Sequence, residues 1–87
     1  MNRAARVDVF FDETFSDPRW VAKVFCSEDP VTEVFLQGEG AEDPNLPTED
    51  LLPLLENSLI KEDLYMTEDT YTYIFPAGRY KNYLKYL

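Results

Sequence analysis

Hydrophobic and polar positions alternate with a period of two along the first third of the chain. The alternation covers Arg6–Asp12 and Trp20–Cys26 and involves β-branched and aromatic residues, which is typical of strands. A third strand is predicted at Val31–Gln37, after turn residues at Ser27–Pro30. Because strands joined by a short turn pair in an antiparallel manner, the three segments predict a meander.

The spacing changes in the middle of the chain, where leucines recur at i, i+3, i+4 and i+8. This spacing predicts a helix with a buried stripe made of Leu51, Leu54, Leu55 and Leu59. Proline disrupts a helix interior but is tolerated in the first turn, so Pro53 predicts a helix start at Asp50–Leu52. Asp50 or Thr48 is the expected N-cap. The charged run Lys61–Asp63 is expected to end the helix.

The C-terminal third holds one clear strand and two segments that are open to more than one interpretation. Tyrosines alternate with threonines in Thr70–Phe75, which predicts a strand. Leu64–Met66 fits either a short extended piece or a turn of helix. In Arg79–Leu87, large residues at i, i+3, i+4 and i+7 predict a short amphipathic helix, although the same segment also alternates as a strand would. Met1–Ala5 is expected to be a loose start.

These elements predict an α+β fold with the order β-β-β-α-β-α. A mostly antiparallel sheet, made of the three-strand meander plus a later strand, would carry two short helices. Eighty-seven residues fit one domain that spans residues 1–87. A hydrophobic content of 45% and an aromatic content of 15% argue against a disordered chain. Gly38–Pro47 is the clearest loop, with two glycines and two prolines.

Charge is distributed unevenly along the chain. The segment Glu28–Asp69 holds thirteen carboxylates and one base, Lys61, for a formal charge of −12. The preceding segment is balanced, the following one has three bases and no acid, and the net charge is −9. Such a field repels nucleic acid and anionic membranes, which are themselves negative, and favours a basic protein as the partner.

The residue types that most catalytic and metal sites require are scarce. The chain has no histidine, which excludes Ser-His-Asp and Cys-His catalysis. Oxygen ligands for calcium occur at close spacing in Asp12, Thr14, Ser16 and Asp17. An EF-hand loop that starts at Asp12 would have Asp17 and Lys23 where Gly and Glu are required. We therefore expect no enzyme activity, no metal and no cofactor.

The cellular setting is indicated by the cysteine content. A single cysteine, Cys26, leaves no internal disulfide, which fits a reducing, cytoplasmic compartment. The N-terminus lacks the apolar core of a signal peptide, and no apolar run approaches the ~18 residues of a membrane span. The tyrosine-rich C-terminus carries Arg79, Lys81 and Lys85, which resembles a base-stacking platform. On a protein of net charge −9, these three bases are expected to pair with the protein's own acids.

A compact acidic chain without catalytic groups has the bulk properties of a nucleic-acid mimic. Duplex DNA carries one charge per ~1.7 Å of its axis, and a rigid protein that displays carboxylates presents a similar field. In these bulk properties the chain resembles the acidic anti-restriction and anti-CRISPR proteins made by phages, a resemblance that covers no motif and no alignable stretch. The resemblance implies a small inhibitor in the host cytoplasm that binds a nucleic-acid-binding protein or a nuclease complex.

The acids expected to contact such a partner lie in the loop, at the helix start and beyond the helix end: Glu39, Glu42, Asp43, Glu49, Asp50, Glu62, Asp63, Glu68 and Asp69. Two other functions stay open. An immunity protein or antitoxin against a basic nuclease toxin would show the same surface and differ in its partner. A non-catalytic structural or regulatory domain would have carboxylates that are spread evenly rather than clustered.

Overall fold

The computed structural model describes residues 1–14, 16–27 and 30–77. Its elements are, in chain order, β1 (Asn2–Arg3), β2 (Arg6–Asp12), β3 (Arg19–Phe25), β4 (Thr32–Phe35), α1 (Thr48–Lys61), β5 (Leu64–Tyr65) and β6 (Tyr71–Ile74). The chain is thus a small α+β domain that is mostly sheet, with one helix among the described residues. The second predicted helix, Arg79–Leu87, lies outside the described residues.

A four-stranded sheet with the spatial order β4-β3-β2-β6 forms the centre of the molecule. The pairs β2–β3 and β3–β4 are antiparallel, which confirms the predicted meander. The later strand predicted at Thr70–Phe75 is β6, and it pairs with β2 in parallel. A parallel neighbour needs a long crossover connection. The chain between β2 and β6 supplies one, since it contains β3, β4 and α1.

The main hydrophobic core lies between one face of this sheet and α1. Leu51, Leu55 and Leu59 are almost fully buried, and Leu54 packs against the same cluster while remaining partly exposed. This confirms the predicted leucine stripe at three of its four positions and places the fourth, Leu54, at the margin of the core. Ser58 is also buried, and its Oγ is compensated by a hydrogen bond of 3.1 Å that it accepts from the backbone N–H of Gln37. The bond ties α1 to the chain directly after β4.

The helix begins earlier than the sequence predicts. Its first residue is Thr48, its N-cap is Pro47, and no side chain caps it, so the predicted start and both predicted N-caps are wrong. The carbonyl of Pro47 accepts bonds of 3.0 Å from the N–H groups of both Asp50 and the next residue. Pro53 consequently lies in the second turn, where it deprives the Glu49 carbonyl of its helical donor. Glu49 is exposed, which lets water replace that donor.

The prediction of a loose N-terminus is also wrong. β1 pairs in parallel with β5, and the N–H of Ala4 donates a 2.8 Å bond to the carbonyl of Tyr65. Ala4 is fully buried. The pairing resolves the ambiguity at Leu64–Met66, whose first two residues are extended. Two-residue strands carry no readable periodicity, so this contact follows from tertiary packing alone.

The second face of the large sheet is buried at its centre as well. Asp8, Phe10 and Val21 lie on this face and are at most 1% exposed. The guanidinium of Arg6 binds Asp8 through two hydrogen bonds of 2.9 and 3.1 Å and lies 5.0 Å from the ring centroid of Tyr73. A carboxylate removed from water requires such compensation.

In the described part of the chain, no helix is long and apolar enough to cross a membrane.

Candidate partner-binding surface

The loop between β4 and α1 carries three of the predicted acids and is fixed to the sheet through Trp20. The backbone N–H of Trp20 donates a 2.9 Å bond to the carbonyl of Ala41. Its indole Nε1 donates a 2.7 Å bond to the carbonyl of Asp43. Trp20 is itself only 3% exposed and belongs to the main core. The loop is therefore anchored to the core at two points.

Two glycines allow the loop to turn tightly. Gly38 and Gly40 have φ values of +132° and +95°, a region that other residues rarely adopt. A Cβ atom at Gly38 would lie 2.6 Å from Leu54, and one at Gly40 would lie 2.8 Å from Leu46. Neither position tolerates a side chain without rearrangement. The loop acids are thus held on a closely packed turn.

The loop acids meet a cation from β3. Glu39, Glu42 and Asp43 line one surface cleft together with Arg19. An Nη atom of Arg19 lies 3.3 Å from a carboxylate oxygen of Glu42 and 3.3 Å from one of Asp17. Both carboxylates are well exposed, so each pair contributes less than ~1 kcal/mol of stability. Arg19 brings Asp17, which we did not predict as a partner-binding residue, into the same surface.

The next two predicted acids continue this surface along the chain. Glu49 and Asp50 are exposed in the first turn of α1, where the positive end of the helix dipole favours carboxylates. We define the acidic end of the molecule as Asp17, Glu39, Glu42, Asp43, Glu49 and Asp50. All six residues are exposed. The basic residue Arg19 pairs with two of them, Asp17 and Glu42.

The other predicted acids lie at the opposite end of the molecule. Glu62 and Asp63 follow the C-terminus of α1, which has 14 residues and is therefore about 21 Å long. Glu68 and Asp69 precede β6, whose first residue pairs with Arg6 at the start of β2. The acidic end lies near the last residues of β2 instead. Trp20, which holds the loop through Asp43, pairs there with Phe11. The structure thus places three of the nine predicted acids in one cleft, with Glu49 and Asp50 at the start of the helix that follows the loop, and separates the other four from them.

All nine predicted acids are exposed to solvent. The pairing of Asp17 with Arg19 could have been predicted, because the two residues are close in sequence. The pairing of Arg19 with Glu42 could not, because these residues are 23 positions apart in the chain.

An open groove adjoins the acidic end and is lined mainly by apolar side chains. Its walls are formed by Trp20 and Leu51 from the core, the segment 44–46, and the chain that leaves β6 at Pro76. A groove of this kind can hold the aliphatic stem of a lysine or arginine whose charged head reaches a carboxylate. The acidic end therefore combines charge with an apolar contact area.

The candidate calcium ligands do not form a cage. Oδ1 of Asp12 accepts bonds of 2.8 and 2.5 Å from the N–H and Oγ1 of Thr14, and Asp17 pairs with Arg19. Among the residues that the structure describes, no group of three or more His, Cys, Asp or Glu side chains is arranged to hold a metal ion.

Comparisons of the chain with protein-family models, curated proteins and solved structures found no match.

Proposed function

We propose that this protein is a small acidic inhibitor that occupies a basic nucleic-acid-binding site of another protein. The observation that carries the proposal is the acidic end, a group of six exposed carboxylates of which two, Asp17 and Glu42, pair with Arg19. A field of this kind imitates the phosphates that Lys and Arg side chains of such a site normally contact. The bulk composition favours a phage anti-defence role, of the anti-CRISPR or anti-restriction type.

Rigidity of the loop supports mimicry. A binding surface that is already ordered loses less conformational entropy when it meets its partner. The carboxylate of Asp43 accepts a 2.9 Å bond from the backbone N–H of Asn45, and the Asp43 carbonyl is held by Trp20. The acids next to Asp43 are thus displayed from a fixed backbone. Their grouping also supports a binding role over a charge that serves only solubility.

Electrostatics set the expected binding behaviour. Single exposed ion pairs contribute less than ~1 kcal/mol each, so several carboxylates must act together. Complementary fields accelerate encounter more than they strengthen individual contacts, and salt screens them over a Debye length of ~8 Å at physiological ionic strength. Association with the target should therefore be fast at low salt and slow at high salt.

The first experiment identifies the target and locates the binding surface. The immobilised protein captures proteins from a nuclease-containing host lysate, mass spectrometry identifies them, and the best candidate is purified for affinity measurements.

Simultaneous reversal of Glu42, Asp43, Glu49 and Asp50 to Lys should weaken binding strongly and leave the fold intact. For a comparison at equal charge, a triple reversal at the acidic end, Glu42, Glu49 and Asp50, is set against a control that reverses three exposed acids elsewhere to Lys, namely Glu33, Glu56 and Glu62. Equal loss in both triple variants would show that net charge, rather than the acidic end, governs binding.

A competition experiment tests mimicry itself. Affinity for the purified target is measured with and without saturating cognate DNA or RNA. We expect nucleic acid to exclude the protein, because both would occupy the same basic site. Simultaneous binding at unchanged affinity would rule out mimicry at that site.

A further inference from the structure

The large sheet ends in two edge strands of equal length and different composition. β4 includes Glu33, and a charge on an edge strand hinders pairing with another chain. β6 reads Tyr-Thr-Tyr-Ile and holds no charge, proline or glycine. These are the features that promote pairing with a further strand. Of the two edges, β6 is thus the one that is not protected by its sequence.

Backbone geometry shows which groups β6 directs outward. The N–H of Tyr71 donates a 3.0 Å bond to the carbonyl of Ala5, and that of Phe75 donates a 2.8 Å bond to the carbonyl of Val9. Because backbone groups alternate in direction along a strand, Thr72 and Ile74 point their N–H and C=O groups away from β2. No strand among the described residues pairs with that side of β6. The edge therefore offers two donors and two acceptors at the spacing of a β-ladder.

The side chains of β6 provide contact area beside these backbone groups. Tyr71 and Tyr73 project from one face and are 68% and 48% exposed. On the other face, Oγ1 of Thr72 lies 4.0 Å from the sulfur of Met66. Tyrosine is enriched at protein interfaces because its large ring is rigid and ends in a polar group.

The charges around β6 indicate what kind of chain fits there. Exposed Glu68 and Asp69 precede the strand. Beyond its other terminus, Pro76 lines the groove beside the acidic end. The edge thus runs between two groups of carboxylates. A second copy of this chain, with its net charge of −9, would be repelled, whereas a basic segment would be attracted.

We propose that β6 binds an extended basic segment of the target protein as a fifth strand of the sheet. The inference rests on the proposed function, since the segment belongs to the same basic partner. Main-chain bonds to Thr72 and Ile74 would provide affinity in this strand-addition mode. Glu68 and Asp69 before β6, and the acidic end across the groove from its other terminus, would select lysine or arginine. Tyr71 and Tyr73 would pack against the side chains between them.

The probe for this edge is an octapeptide of alternating lysine and valine with blocked termini. NMR measures amide hydrogen exchange on the full chain with and without the peptide. In the free protein, the amides of Thr72 and Ile74 should exchange fast and those of Tyr71 and Tyr73 slowly. The basic peptide should slow exchange at Thr72 and Ile74 at least tenfold, whereas the same peptide with glutamate for lysine should have no effect.

Three results would overturn the inference. The first is protection of Thr72 and Ile74 in the free monomer, which would mean that the edge is already paired within the chain. The second is peptide-induced protection at Glu33 on the other edge strand instead. The third is a dimer in sedimentation velocity whose dissociation exposes Thr72, because the occupant would then be a second copy.

A proline scan provides matched variants. Thr72→Pro removes an N–H that points outward, which an edge strand tolerates, so the monomer should stay folded. It should weaken peptide binding at least tenfold, and Glu33→Pro, the same change on the other edge, should not. Circular dichroism checks the fold. If Thr72→Pro unfolds, Thr72→Lys replaces it, since lysine on an edge blocks pairing and repels the basic peptide. Retained binding in the folded variant would contradict the inference.

The same variants separate this inference from the proposed function. Suppose that the folded Thr72 variant binds the purified target normally while reversal of the acidic end abolishes binding. In that case the edge does not take part, and the inhibitor function stands. If reversal of the acidic end leaves target binding unchanged, the proposed function itself is wrong, whatever the peptide shows at Thr72.

Discussion

Asp8 is the only buried carboxylate among the described residues, and a neighbour two positions away, Arg6, helps to compensate its burial. Arg6 and Asp8 point to the same face of β2, so the guanidinium can reach the carboxylate with two nearly parallel bonds. Period-two alternation identifies such residues as sharing a face. It does not show that this face is buried, because alternation is usually interpreted with one face in water.

The contribution of this pair can be measured with a double-substitution cycle. Arg6→Met removes both bonds to Asp8 and should lower the free energy of unfolding by up to about 3 kcal/mol, the low end for a broken buried pair, since Arg6 is partly exposed. Arg6→Met combined with Asp8→Leu should recover much of the loss, because no buried charge remains. Urea denaturation provides both values. An Arg6→Met variant as stable as the original protein would show that the pair does not stabilise the fold.

At the scale of elements, the sequence predicted strands and helices that repeat a periodic pattern, but it did not predict the helix cap or the shortest strand pairing. The meander, the leucine stripe and β6 were all predictable, because each repeats a pattern over at least four residues. The start of α1 was missed because Pro47 supplies a carbonyl to two N–H groups, a device that replaces the expected side-chain cap. β1 was missed, and β5 stayed one of two alternatives, because each has two residues and is held by its partner alone.

Helix α1 provides a test of the leucine stripe with an internal control. Leu55→Ala should lower the free energy of unfolding by ~2–5 kcal/mol, the usual range for a leucine deleted from a core. Leu52→Ala makes the same chemical change at a position that is 36% exposed and should cost far less. Chemical denaturation of both variants gives the comparison. A loss below ~0.5 kcal/mol for Leu55→Ala would mean that α1 presents a different face to the sheet.

At the scale of the whole molecule, the fold sorts carboxylates that the sequence presents as one run. Acids from the loop and the helix start remain neighbours because they are close in the chain. Glu62 and Asp63 are carried away by the length of α1, and Glu68 is placed far from the loop by the parallel pairing of β6. The length of α1 could have been used to predict that Glu62 and Asp63 lie far from the loop. The position of Glu68 could not be predicted, because it depends on the strand order, which the sequence does not reveal.

Excess negative charge should also make the stability of the protein depend on salt. A net charge of −9 on so small a chain causes self-repulsion in the folded state, which added salt screens. Raising NaCl from about 0.01 M to about 1 M shortens the Debye length from ~30 to ~3 Å, so the urea midpoint should rise. The acidic-end variant, with Glu42, Asp43, Glu49 and Asp50 changed to Lys, has a formal net charge of −1, since each reversal adds two positive charges to −9. Its urea midpoint should respond much less to salt. Equal responses in both proteins would indicate a general effect of salt on hydrophobic burial rather than relief of repulsion among the carboxylates.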